Sequence, residues 1–143
     1  MTGAAPGGVH HVAIAVRDLE AVEAFYTGVL GLSILRRWPM TDEMAGEKKR
    51  DRSVWLDLGA GAFLALERLE ADLARALAPA GRTHGYLMIA LRITRAARAD
   101  WEARLTAAGV AVVDRTAYTL YVADPEGNRV GLSHWPDAAG EQG

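Results

Sequence analysis

The sequence predicts an α+β fold of two tandem modules, each a strand, a helix and three further strands. Three observations predict it. The run His11-Val12-Ala13-Ile14-Ala15-Val16 lays onto Met88-Ile89-Ala90-Leu91-Arg92-Ile93, and Gly31-Leu32 onto Gly109-Val110, with the second helix one residue longer. Each run is followed by apolar residues at helical spacing that stop at a glycine. Short β-rich runs are then joined by the turns Gly59-Ala60-Gly61 and Asp124-Pro125-Glu126-Gly127.

Each element has a local reason. Val9–Val16 is short and β-branched, as a strand requires. Asp18 offers an N-cap, and Leu19, Val22, Phe25, Tyr26, Val29 and Leu30 form the apolar stripe of a helix closed at Gly31. Leu32–Trp38 resumes as extended chain, and residues 39–52 read as a polar, charged loop suited to a lid. Ser53–Leu58 and Ala62–Glu67 form a hairpin, and Arg68–Ala80 reads as a connecting helix. Module two repeats the plan. Tyr86–Ile93 is a strand, Thr94 an N-cap, and Ala97, Trp101, Leu105 and Ala108 a helix face. Val110–Asp114, Thr119–Ala123 and Asn128–Ser133 supply three strands. One domain is expected, with module one at about 9–67, the linker helix at about 68–81 and module two at about 84–135.

Composition narrows the function classes. Across 143 residues half are hydrophobic, 24% are charged and the formal net charge is −2, which disfavours disorder and a phosphate-reading basic face. Without cysteine there is no disulfide, zinc-thiolate site or cysteine nucleophile. No apolar run reaches the roughly 20 residues of a membrane helix, and MTGAAPGGVHH lacks the charge-then-apolar plan of a signal peptide. A cytoplasmic protein without nucleic-acid or membrane partners is expected. Its serines stand in no nucleophile elbow, and Gly59-Ala60-Gly61 leads into a strand, so it is no phosphate cradle.

Three motifs, in order, span roughly residues 9–136: His11-Val12-Ala13-Ile14-Ala15-Val16-Arg17-Asp18-Leu19; Phe25-Tyr26 with Val29-Leu30-Gly31-Leu32; and Asp124-Pro125-Glu126-Gly127-Asn128-Arg129-Val130. Together they resemble the vicinal oxygen chelate superfamily of glyoxalase I, bleomycin-resistance proteins, fosfomycin-resistance enzymes and extradiol dioxygenases. The resemblance implies paired βαβββ modules whose mixed sheets curl around a cleft with helices outside, usually in a homodimer. It also implies four metal-ligand positions, occupied here by His11, Ala65, Met88 and Gly131. A methyl group and a glycine hydrogen ligate nothing, and a thioether suits hard ions poorly, so no metal cofactor is expected. A two-residue shift of the fourth strand would instead bring Glu67 to His11, leaving a divalent metal on that pair as the alternative.

Strand alternation from these positions predicts a cleft lined by His11, Ala13, Ala15, Ala65, Glu67, Tyr86, Met88, Ala90, Arg129, Gly131 and Ser133, with Tyr121, Thr119 and Trp55 beside them. Small side chains make room there, Met88 and the rings give adaptable apolar surface, and His11, Glu67 and Tyr121 orient a ligand. Plain roles stand beside these. His11 can serve a local hydrogen bond, Tyr121 a wet strand, Met88 the core and Glu67 a solvated strand end; Phe25, Tyr26 and Trp101 read as helix packing, and Trp38 and Trp135 as rim aromatics. The expected function is a dimeric binding protein for a hydrophobic or aromatic small molecule, with the usual metal site degenerate. The alternative is a lyase, isomerase, epimerase or dioxygenase of the same fold. It would work either without metal, using His11, Glu67 or Tyr121 as acid and base, or with the shifted metal site.

Overall fold

A computed structural model describes residues 5–40, 50–70 and 85–137. Residues 41–49 of the charged loop, residues 71–81 of the expected connecting helix, and His84 lie outside the described residues. The elements are β1 (His11–Val16), α1 (Leu19–Ala24) running into a π-helical turn (Phe25–Val29), β2 (Ile34–Pro39), β3 (Asp51–Gly59) and β4 (Ala62–Arg68). Then come β5 (Met88–Arg92), α2 (Arg98–Ala107), β6 (Asp114–Arg115), β7 (Thr119–Ala123) and β8 (Arg129–Ser133). They form two four-stranded mixed sheets of identical topology, β1-β4-β3-β2 and β5-β8-β7-β6, in which the first and last strands of each module run parallel. The internal repeat is thus a structural one.

Alternation divides the faces. Val12, Ile14, Val16, Val54, Leu56, Leu64 and Leu66 of sheet one, with Ile89, Leu91, Leu120, Val122, Val130 and Leu132 of sheet two, turn inward. They meet Leu19, Val22, Phe25 and Tyr26 from the first helical segment and Leu105 from α2 in one continuous core. On the opposite faces the edge strands expose His11 and Ala13 in one module and Met88, Ala90 and Arg92 in the other, while Ser53, Phe63, Ala65 and Thr119 further in are buried. No helix among the described residues is long and apolar enough to cross a membrane.

A polar clasp ties module two onto the first helix. Asp124 is 4% exposed. Its carboxylate accepts hydrogen bonds from the Tyr26 hydroxyl at 2.9 Å, Asn128 Nδ2 at 2.8 Å, and the backbone N–H groups of Glu126 and Asn128 at 2.9 Å each. Burial, then the Asp124 charge, pushes the Tyr26 phenol up, which keeps it protonated and donating. In the same turn the Glu126 carboxylate accepts from the N–H groups of Arg17 and Asp18 at 2.8 and 2.7 Å, where free donors and the helix dipole attract an anion. Asp18 caps the helix as expected, accepting from Ala21 N–H at 3.0 Å.

A smaller polar contact ties α1 to β4. The buried Arg68 guanidinium pairs with Glu20 and holds its carboxyl below the ordinary carboxylate range. A depressed carboxyl contributes stability above its unfolded pKa and loses it as pH falls through the folded one. Because Glu20 is mostly exposed, the effect is small. On acid titration Glu20→Gln is expected to lose less stability than the wild type, and identical acid limbs in urea melts would refute the pairing.

Several boundaries depart from the sequence reading: β1 starts at His11, not Val9, and β2 and β3 take Pro39 and Asp51–Arg52 from the ends of the expected loop. β5 starts at Met88, not Tyr86, because its parallel partner β8 begins at Arg129, opposite Met88, and gives residues 86 and 87 nothing to pair with. α2 starts at Arg98; Thr94 instead accepts from Ala97 N–H at 3.2 Å and closes the turn before the helix. The strand expected over Val110–Asp114 is reduced to Asp114–Arg115, since Val110 and Val112 are spent packing on the core. The first helix narrows to Leu19–Ala24 before its π-helical turn.

Candidate functional site

The open face of sheet one carries a run of rings, one from each strand. His11 of β1 lies nearly parallel to Phe63 of β4, with centroids 4.8 Å apart and planes at 5°. Phe63 stacks on Trp55 of β3 at 4.3 Å and 20°, and Trp55 meets Trp38 of β2 at 5.2 Å and 60°. The register explains the diagonal. His11 sits opposite Phe63, whereas Trp55 sits opposite Ala65, whose methyl lets the indole lean toward Phe63. The rings cover one another, and Phe63 in the middle of the run is only 8% exposed. At the two ends Arg36 covers Trp38, its guanidinium carbon 3.6 Å from the ring centroid, and His10 packs edge-on to His11 and Phe63.

Beside the rings lies a floor of small residues. Ala13 pairs with Ala65, and Ala15 with Glu67, so three methyl groups border a half-buried carboxylate. Ser53, opposite Glu67 in the hairpin, donates its hydroxyl to Glu67 Oε1 at 3.0 Å. Trp38 is opposite Ser53, and its indole N–H is buried without an acceptor. Buried donors are rarely left so.

The open face of sheet two is more polar. Arg129 lies over the Tyr121 ring, 4.2 Å from guanidinium carbon to centroid, and pairs with Asp114 at 3.5 Å. Thr119 donates to Ser133 at 3.0 Å, tying β7 to β8. Gly131 sits opposite both Ala90 and Tyr121, and a Cβ placed on it would meet Thr119 Cγ2 at 3.1 Å and Met88 Sδ at 3.6 Å. Met88 and Gly131 are therefore neighbours, as the sequence reading placed them.

The residues expected to line the site divide unevenly. The structure brings His11, Ala13, Ala15, Trp55, Ala65 and Glu67 onto one face, and Met88, Ala90, Thr119, Tyr121, Arg129, Gly131 and Ser133 onto the other sheet's open face. It does not place Tyr86 in a strand, and that side chain is wholly exposed. Nor does it bring Glu67 to His11. β4 shows no two-residue shift; Glu67 pairs with Ala15, four residues from His11, about 13 Å at roughly 3.3 Å per residue. The sequence reading left Phe63 and Ser53 out of the site. Phe63 shares the parity of Ala65, and Ser53 follows from counting the hairpin outward from Gly59-Ala60-Gly61, so both signals were present.

The profile of the Glyoxalase/Bleomycin resistance protein/Dioxygenase superfamily matches residues 8–132. The chain belongs to this superfamily. No curated protein matches it significantly. Among solved structures it is similar to TnmS3, an antibiotic binding protein from Streptomyces sp. CB03234, with 25% identity and a TM-score of 0.63 over 92% of this chain and 98% of that one. It also resembles the lactoylglutathione lyase of Agrobacterium tumefaciens (22% identity, TM-score 0.61, 91% and 95% covered). The fosfomycin resistance protein FosX of Mesorhizobium loti is a further structural neighbour (18%, TM-score 0.63, 90% and 92%). These last two likenesses carry the fold alone.

His11, Ala65, Met88 and Gly131, the positions for which the resemblance implies metal ligands, carry one imidazole, one methyl, one thioether and one bare backbone carbon. Catalytic zinc takes three protein donors, and harder ions want oxygen. Here two of the four side chains have no donor atom at all. Among the described residues, no three His, Asp or Glu side chains gather elsewhere to hold an ion.

Proposed function

We propose that this superfamily member is a binding protein that holds a planar aromatic small molecule across the ring-lined face of sheet one, without a metal ion. The observation that carries the reading is the four-strand run His11–Phe63–Trp55–Trp38 beside the floor of Ala13, Ala15 and Ala65. Ring edges carry partial positive charge and favour the π face of a ligand lying across them, while alanine methyls leave it room. The donor-poor metal positions support the same reading, and so does the likeness to an antibiotic binding protein.

The wall formed by sheet one is one-sided. Strands β1 and β5 are sheet edges, and Val9, Tyr86 and Leu87 beside them are exposed apolar residues. Edges and apolar groups of this kind are ordinarily covered, and we take the cover to be a second copy of the chain in a homodimer. Native mass spectrometry is expected to show a dimer.

Acridine, a neutral planar probe, is expected to quench the tryptophan fluorescence saturably and equally with or without EDTA. Trp55→Ala should weaken it at least about tenfold, the loss of roughly 1.4 kcal/mol that one well-packed ring contributes. No saturable quenching, or binding abolished by EDTA, would defeat the reading. Product formation from a candidate substrate in EDTA, lost in His11→Ala, would favour an acid–base enzyme instead.

A further inference from the structure

The modules are joined on the helix side of their sheets. Tyr26 donates to Asp124, Glu126 accepts from the Arg17 and Asp18 N–H groups, and the Arg104 guanidinium of α2 lies against Gly31 at the end of the first helical segment. A cleft enclosed by one chain would set the opening strands of the two modules edge to edge, β1 along β5. They are not paired. Among the described residues β1 bonds only β4, and β5 only β8. His11 and Ala13 on β1, and Met88, Ala90 and Arg92 on β5, are exposed, with Val9, Tyr86 and Leu87 bare beside them. The rings of sheet one and the open face of sheet two therefore enclose no common space within the chain.

Resting on the binding reading above, we propose that the site is built by two copies, with the rings of sheet one in each copy facing sheet two of the other. The occupant of each bare edge follows from the internal repeat. Sheet two has the topology of sheet one, and Met88 and Ala90 on one edge correspond to His11 and Ala13 on the other. A two-fold axis that lays β1 of one copy along β5 of the second also lays the first copy's β5 along the second copy's β1. One self-complementary contact thus closes both edges and leaves none to extend the assembly. The ligand then lies between Trp55 of one copy and Tyr121 of the partner subunit, and each dimer holds two equal sites.

The test measures acridine affinity by calorimetry on dimers of defined composition, co-expressed under two tags and purified through both. Trp55→Ala damages sheet one, and Tyr121→Ala damages sheet two, two strands in from the β5 edge. In homodimers each should weaken acridine about fivefold or more. Paired with each other, the two variants are expected to restore one wild-type site per dimer, because one site receives both defects and the other neither. A chain carrying both substitutions, paired with wild type, should keep none, because each site then receives one defect. A cleft within one chain gives the opposite pair of results and overturns the proposal. So does a Tyr121→Ala homodimer that binds like the wild type, or a wild type that binds acridine as a monomer by native mass spectrometry. Trp55→Ala homodimers with unchanged affinity would instead overturn the aromatic site itself.

Discussion

Asp124→Ala is expected to lower the free energy of unfolding by about 3 kcal/mol, a large part of the 5–15 kcal/mol typical of a domain. Its two carboxylate oxygens take four donors, and the alanine abandons all of them. A buried donor left without acceptor costs about 1–3 kcal/mol, and those at the turn recover part of it from water. Tyr26 recovers none, because its side chain is fully buried. Asp124→Asn should cost only about 1 kcal/mol. The retained oxygen still accepts the backbone N–H groups, while the Tyr26 hydroxyl and the Asn128 amide can each turn to present an acceptor to the new NH₂. Tyr26→Phe alone should cost about 2 kcal/mol and add little on top of Asp124→Ala, since both remove the same bond. Urea unfolding measures all four. Asp124→Ala within 1 kcal/mol of wild type would mean the clasp does not hold the modules.

That clasp also shows what a sequence can and cannot display. The Asp-Pro-Glu-Gly segment announces a turn through the geometry of Pro125 and Gly127, and it is one. That the turn's carboxylates reach Tyr26, Arg17 and Asp18 was not legible, because those residues lie about a hundred positions away and no local pattern encodes the contact. Face assignments were legible. Period-two alternation put His11, Ala65 and Glu67 on one face of sheet one and Met88, Gly131 and Tyr121 on one face of sheet two, since a strand offers only two choices. Lengths were not. Tyr86 and Val110 have strand-like sequences, but a strand also needs a partner, and partners are set by the other strand's ends. The ring run needed both kinds of information. Alternation supplies Phe63 and Trp55, whereas Trp38 joins them through the irregular β2–β3 register, which no composition rule predicts. Glu67 depended on register too. The shift that would have made it a metal ligand to His11 is a question of two residues, and only the ladder answers it.

The proposed metal-free site can be tested by placing donors at the positions for which the resemblance implies ligands. A chain carrying Ala65→Glu, Met88→His and Gly131→Glu has two imidazoles and two carboxylates at the positions for which the resemblance implies ligands. It is expected to gain about 2.7 kcal/mol of stability from zinc at roughly a hundred times its Kd, read as a rise in Tm that EDTA reverses. The wild type should show no such rise. Gly131→Glu alone should behave differently again. Its Cβ would stand 3.1 Å from Thr119 Cγ2, tighter than ordinary packing, while Thr119 is held by its bond to Ser133. That variant is expected to lose about 1–3 kcal/mol and to gain nothing from zinc, because overpacking is then unrelieved by any ligand bond. The contrast separates two reasons for a glycine at this position: room for β7 to pack closely, and loss of a ligand. A zinc-dependent rise in the wild-type Tm would show that donors outside these four positions hold an ion, and the metal-free reading would fall with it.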